Sequence, residues 1–295
     1  METLLDRLIV EMVLGLANGM VLALVAAGFT LILGVMNIVN FAHGEFHMAG
    51  AYAGWMFLLL LGPTAATFWI AVFVAGIAVA LIGWFLERGV FAETHGGDPF
   101  IPMLVSFGLA LVFQQVALAS FGSIGKFVAP PITSSVPFFG FDFPVYRIVI
   151  MVISAAIIAL LWLFITRTKW GTWIRAIIQD REMAACMGVR VPRVYQIVFA
   201  LSAGLAGISG ILVAPIFSVS FTMGLDIIIT AFIIVVVGGM GSLTGTLIAA
   251  LLIGQLEAIS SIFMGASQAQ IASLVFLMVF LMIRPQGIFG DRGLA

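Results

Sequence analysis

The stretch "NIVNFAHGEFHMAGAYAGW", residues 37–55, brings Asn37, Asn40, His43, Glu45 and His47 close together. Side chains of these types could ligate a metal, relay protons or hydrogen-bond a solute. His43 and His47 are four apart and share one helix face, while Glu45 points elsewhere. "HGEFH" lacks the H-E-x-x-H spacing of a helical zinc site and no third ligand can be named, so no metal is assigned. Asn37 and Asn40 suit a turn or cap, and Gly44 loosens the backbone before the small-residue run "MAGAYAG". This is the pattern of an interrupted membrane segment. Such a break is tolerated at depth only where it faces protein or a water-filled cavity.

The elements that position these residues must live in lipid. The chain has 295 residues, 63% hydrophobic and only 8% charged, against roughly a quarter charged in soluble domains. Its net charge of −1 gives no electrostatic case for nucleic acid. The single Cys186 excludes an intrachain disulfide framework. "METLLDRLIVEM" is acidic, and no cleavable signal peptide is expected. The apolar runs reach about 20 residues without strand alternation, so the fold class is an all-α polytopic bundle. Candidate spans lie near 9–35, 38–61, 66–86, 101–121, 147–165, 195–217 and 269–283. Gly238, Gly239, Gly241 and Gly245 break 226–262 in two, giving nine segments, or eight if that region is one. The chain is taken as one transmembrane domain, 1–295.

Orientation follows from the cations. The loop 166–194 carries Arg167, Lys169, Arg175, Arg181, Arg190 and Arg193, which makes it cytoplasmic by the positive-inside rule. Nine segments then place 87–100 and the C-terminus inside as well, and the N-terminus outside. The outer loop 122–145 offers either a membrane-hugging segment that receives a partner or a packed plug between helices. Gly15 and Gly19, Gly50 and Gly54, Gly241 and Gly245, and the series Gly204, Gly207, Gly210 have spacings that let helices approach closely. Two interrupted segments, at 37–44 and 235–245, fall in opposite halves. They point to an inverted repeat, 9–121 against 195–283, joined by the span 147–165.

Within the basic loop, Asp180 can cap a short helix over 181–187 that Gly188 ends, with Glu182 favourable in its first turn. The result is either a docking element for another protein or an interface helix anchored by Trp170, Trp173 and Arg175. Ionisable groups in or near spans are Glu11, Glu45, Asp226 and Glu257. Glu11 and Asp226 are expected near segment ends, where they would meet headgroups or water.

Four ordered motifs, "NIVNFAHGEF", "RAIIQDREMAACMGV", "VVVGGMGSLTGTLIAALLIG" and "RPQGIFG", resemble the permeases of branched-chain amino-acid ABC importers, the H-type of the Liv system. The resemblance runs from Gly15 to Gly290. It implies a type II importer-like permease fold in a bacterial inner membrane. The implied partners are a second homologous permease chain, two cytoplasmic ATPases and a periplasmic substrate-binding protein. Arg175, Asp180, Arg181, Glu182, Ala184, Ala185 and Gly188 would then contact the ATPase. The substrate pathway is assigned to Asn18, Asn40, His43, Glu45, Gln114, Gln115 and Gln255. No cofactor is expected in this chain, since ATP and Mg would sit on the partner ATPase. In keeping with that, no G-x-x-x-x-G-K-[ST] occurs, and three histidines assemble no catalytic arrangement. Urea or short-amide import is the alternative substrate class. A stand-alone secondary transporter or channel, using Glu45, Asp226 and Glu257, is the alternative mechanism.

Overall fold

The computed structural model describes residues 4–138 and 141–289. Among the described residues nine helices carry the apolar runs: α1 (Leu4–Met36), α2 (His43–Leu61), α3 (Ala65–Gly89), α4 (Phe100–Phe121), α5 (Val145–Arg167), α8 (Val191–Val213), α9 (Met223–Gly238), α10 (Leu243–Phe263) and α11 (Ala266–Ile283). Two shorter helices, α6 (Lys169–Gln179) and α7 (Arg181–Cys186), fill the basic loop, and a hairpin of β1 (Ser135–Phe138) and β2 (Phe141–Pro144) precedes α5. Six of the helices are long and apolar enough to cross a membrane; α9 and α11 are shorter. Large apolar side chains such as Phe73, Phe85 and Leu104 are each 70% exposed on the outer faces. A lipid solvent removes the penalty that water would impose there.

The helices alternate between two ends. At one end Arg181 lies over the Tyr195 ring, His95 packs against Tyr195, and the Ile288 amide donates to the Val237 carbonyl. The loop 166–194, the 87–100 connection and the C-terminal segment therefore share that end, as nine spans require. At the other end Tyr146 donates to the Leu212 carbonyl and Lys126 pairs with Val219 through the backbone. The 122–145 loop is thus packed against the α8–α9 connection by way of Lys126.

α1–α4 and α8–α11 are an inverted pair of four-helix units on either side of α5. α1 packs along α10 as α3 packs along α8, and α2 meets α9 at the centre. The break that matches 37–42 is 214–222, not the 235–245 run expected to match it. Gly239–Ser242 is a tight turn, with Ser242 capping α10 at the Gly245 amide, and its counterpart is Gly62–Thr64, where Thr64 caps α3 at the Thr67 amide. The periodicity hid this because 214–217 reads as a continuation of span 195–217. α8 in fact stops at Val213 beside Pro215, and the chain turns back.

Packing glycines hold the units together, and the spacings noted above serve contacts inside this bundle. A Cβ on Gly50 would strike the Gly207 backbone, and one on Gly210 would strike the His47 carbonyl. Where backbones come this close, Thr30 and Thr246 hydroxyls bond at 2.7 Å across α1 and α10. Thr30→Val should lower stability by about 0.6–1.7 kcal/mol, read as a lower unfolding midpoint in detergent with expression unchanged.

Candidate functional site

The centre of the bundle is the junction of the two breaks. Asn37 takes a left-handed φ of 55°, which turns the chain back after α1. The extended segment then carries Asn40 inward, where its Oδ1 accepts from the Ala42 amide at 3.0 Å. α2 starts at His43, whose Nε2–H donates to the Val25 carbonyl at 3.0 Å. Gly28 sits against both the His43 ring and the Ser202 carbonyl, so α2 begins level with the interiors of α1 and α8. At ~1.5 Å per residue that level is about 16 Å from either end of α8 and about 12 Å from the Met36 end of α1. One turn on, His47 Nδ1 and Ser209 Oγ lie 2.7 Å apart. Because Ser209 gives its own proton to the Ala206 carbonyl, His47 Nδ1–H is the donor. The two histidines thus share a face toward α1 and α8, as the four-residue spacing requires.

Glu45 leaves the helix on another side and lays its carboxylate against the Cα of Gly224, in the first turn of α9. The N-termini of α2 and α9 therefore converge on one carboxylate. The two helix dipoles offset part of the cost of burying a carboxylate there. Gly44 does not loosen the backbone; it lies inside α2, and a Cβ there would strike the Gly224 carbonyl. Asn40 Nδ2, His43 Nδ1 and Glu45 Oε2 are buried without a hydrogen-bond partner. Among the described residues no three His, Cys, Asp or Glu side chains converge on a metal position.

The junction carries a sequence signal that reading the halves separately overlooks. Val39-Asn40-Phe41-Ala42-His43-Gly44 recurs as Val219-Ser220-Phe221-Thr222-Met223-Gly224. The backbone bonds recur with it. His43 donates to Asn40 and Met223 to Ser220; Glu45 donates to Ala42 and Leu225 to Thr222. The repeated V-x-F-x-x-G is the residue-level mark of the inversion.

The other assigned pathway residues are dispersed. Asn18 accepts from Arg147 Nη1 at 3.1 Å, and Gln255 donates to the Met12 carbonyl at 2.7 Å, so both tie helices together around α1. Gln114 and Gln115 lie on α4, half-buried and exposed respectively. α4 is fastened to α2 by aromatic contacts, Phe41 with Phe107, Phe46 with Phe113 and Tyr52 with Phe121. Glu257 accepts from Ser273 of α11 at 3.2 Å.

At the basic end the short capped helix is present. Asp180 accepts from the Met183 amide at 2.9 Å, and Gly188 ends the turn with φ 86°. Ala184 faces inward, and the exposed apolar groups are Met183 at 59% and Met187 at 79%. Arg181, Glu182, Ala185 and Gly188 are exposed beside them. Arg175 is exposed, and it donates to the Ile165 carbonyl and pins α6 beneath α5. Residues that sequence reading missed connect α7 to the bundle. Arg181 stacks over Tyr195 of α8, Tyr195 packs on His95, and His95 Nε2 meets buried Glu87 of α3 at 2.6 Å. A buried carboxylate near the end of an apolar run was the one available cue.

Comparison with known proteins matches this arrangement over nearly the whole chain. A family model described as "Branched-chain amino acid transport system / permease component" covers residues 11–284. The high-affinity branched-chain amino acid transport system permease protein LivH of Salmonella typhimurium is 29% identical, over 95% of this chain and 94% of that one. The corresponding protein BraD of Pseudomonas aeruginosa is 28% identical, over 95% of each. Among solved structures, PsaBC from Streptococcus pneumoniae in complex with Fab has TM-score 0.51 at 15% identity, covering 92% of this chain and 91% of that one, which shows likeness of fold. A membrane-embedded inverted repeat matched by one family model from α1 to the end of α11 has one reading: this chain belongs to the family of branched-chain amino acid transport system permease components.

Proposed function

We propose that the chain is the membrane-spanning permease subunit of an ATP-driven importer of branched-chain or other small apolar amino acids. The observation that carries this is α7, a capped helix presenting Met183 and Met187 at the arginine-rich end of a chain with a permease-family match. The positive-inside rule makes that end cytoplasmic, where a separate ATPase would grip it. Movement of α7 passes through Arg181 to Tyr195 on α8, then through His95 to Glu87 on α3. Those two helices are one of the two packed pairs that bridge the repeats. A binding protein on the other side would set most of the selectivity, and a second permease chain would complete the pathway.

Reconstitution tests the reading. With its partners in liposomes, the chain should take up leucine, isoleucine and valine only when ATP is inside the ATPase compartment. Uptake of urea instead would replace the substrate class, and gradient-driven uptake by the chain alone would replace the mechanism.

A further inference from the structure

Asp226 is not at a membrane surface, although it stands at the start of a helix. α9 begins at the central junction: Gly224 packs on Gly44 and Glu45, level with Gly28 and Ser202. Asp226 therefore lies inside the bilayer, near a level about 16 Å from either end of α8 and about 12 Å from the Met36 end of α1 at ~1.5 Å per residue. Its side chain is exposed, and among the described residues it meets no cation. A carboxylate facing lipid at such depth costs roughly 2.5–3.5 kcal/mol, and polar groups at depth face protein or water. Its surroundings are specific. Leu225, Ile229 and Phe232 are 40%, 45% and 39% exposed along the same strip of α9. The Gln270 amide of α11 donates to the Asp226 carbonyl at 3.3 Å, so a polar side chain borders the strip. The opposite face of α9, with Ile228, Ala231, Ile234 and Val235, is buried in the bundle.

We propose that Asp226 binds the ammonium group of an aliphatic amino acid in an aqueous path along this strip of α9. One carboxylate beside Leu225, Ile229 and Phe232 offers a charge partner for the ammonium and a weak apolar surface for the side chain. This rests on the permease reading above. The Glu45 carboxylate cannot serve instead, because it is buried against Gly224.

The test uses the full chain with its partners in membranes, after Cys186→Ser removes the native thiol. Ile229→Cys is treated with two membrane-impermeant methanethiosulfonates, one bearing trimethylammonium and one sulfonate. The proposal expects reaction with both, and the cation faster by about fivefold beyond the ratio for a free thiol. Asp226→Asn should bring that ratio back to the free-thiol value. Leucine should slow the cation reaction, and 4-methylpentanoate, which lacks the ammonium, should not. The proposal is overturned if Ile229→Cys is as unreactive as Phe85→Cys on the lipid face, or if Asp226→Asn leaves the ratio unchanged. Charge-dependent labelling that leucine does not slow also overturns it. Failed leucine import with labelling intact and protected by another amine instead overturns the assigned substrate class, so the two readings fail separately.

Discussion

Gly44→Leu should leave almost no assembled protein in the membrane. Its Cβ would overlap the Gly224 carbonyl and press on the Cβ of Ile228. Neither can move without shifting α9 away from Glu45 and breaking the junction of the two repeats. Overpacking typically costs 1–3 kcal/mol where side chains can adjust. A backbone obstacle cannot adjust, and the total reserve is only about 5–15 kcal/mol. Gly50→Leu should behave alike, since Gly207 backbone stands in its way. Gly108→Ala on α4, which would meet nothing, is the control. The measurement is recovery of a monodisperse peak in detergent, with melting midpoint. Normal recovery of Gly44→Leu would mean that the two helix N-termini do not meet as described.

Asp180→Arg and Gly188→Trp should each reduce substrate uptake roughly tenfold or more while the protein still inserts and folds. Asp180 supplies the side-chain cap of α7, and loss of such a cap costs about 0.5–2 kcal/mol. Arginine also places a cation at the positive end of the helix. Gly188 holds a left-handed backbone, which costs an L residue about 1–2 kcal/mol. Either loss is comparable to the 1.4 kcal/mol that shifts a docking equilibrium tenfold. Both residues are exposed, and no span depends on them, so the damage falls on contact with the driving partner. The readout pairs uptake with ATP hydrolysis in proteoliposomes: hydrolysis should persist, uncoupled from transport. A cysteine at Met187 should crosslink to the ATPase, whereas one at Ala184 should not, because that side chain is turned inward. Wild-type uptake in both variants would remove α7 from the mechanism.

The difference between what the sequence reveals and what it hides is one of range. α7 is legible because a cap, a first-turn acid and a terminal glycine act within one helix. The long apolar helices, six of them long enough to cross a membrane among the described residues, are legible because hydropathy acts along single segments. Asp226 was misplaced because its position along α9 says nothing of where α9 begins, and that is fixed by Gly44 on a distant helix. Gly44 looks like a flexible joint in the sequence for the same reason: its tight neighbours, Gly224 and Ile228, are remote in sequence. Glu87, His95, Tyr195 and Arg181 come from four separate elements, and no local spacing unites them. The repeated V-x-F-x-x-G was within reach of the sequence, but only with the two halves laid side by side.

Glu45 and Gly224 also carry a kinematic consequence. α2 leaves their meeting point toward one compartment and α9 leaves it toward the other, with Leu61 at the far end of the first and Val237 near the far end of the second. A rigid see-saw about that fulcrum swings the two far tips in opposite senses. Opening at one end would then narrow the other by the same stroke, so a duplicated, upside-down architecture would not need two independently timed doors.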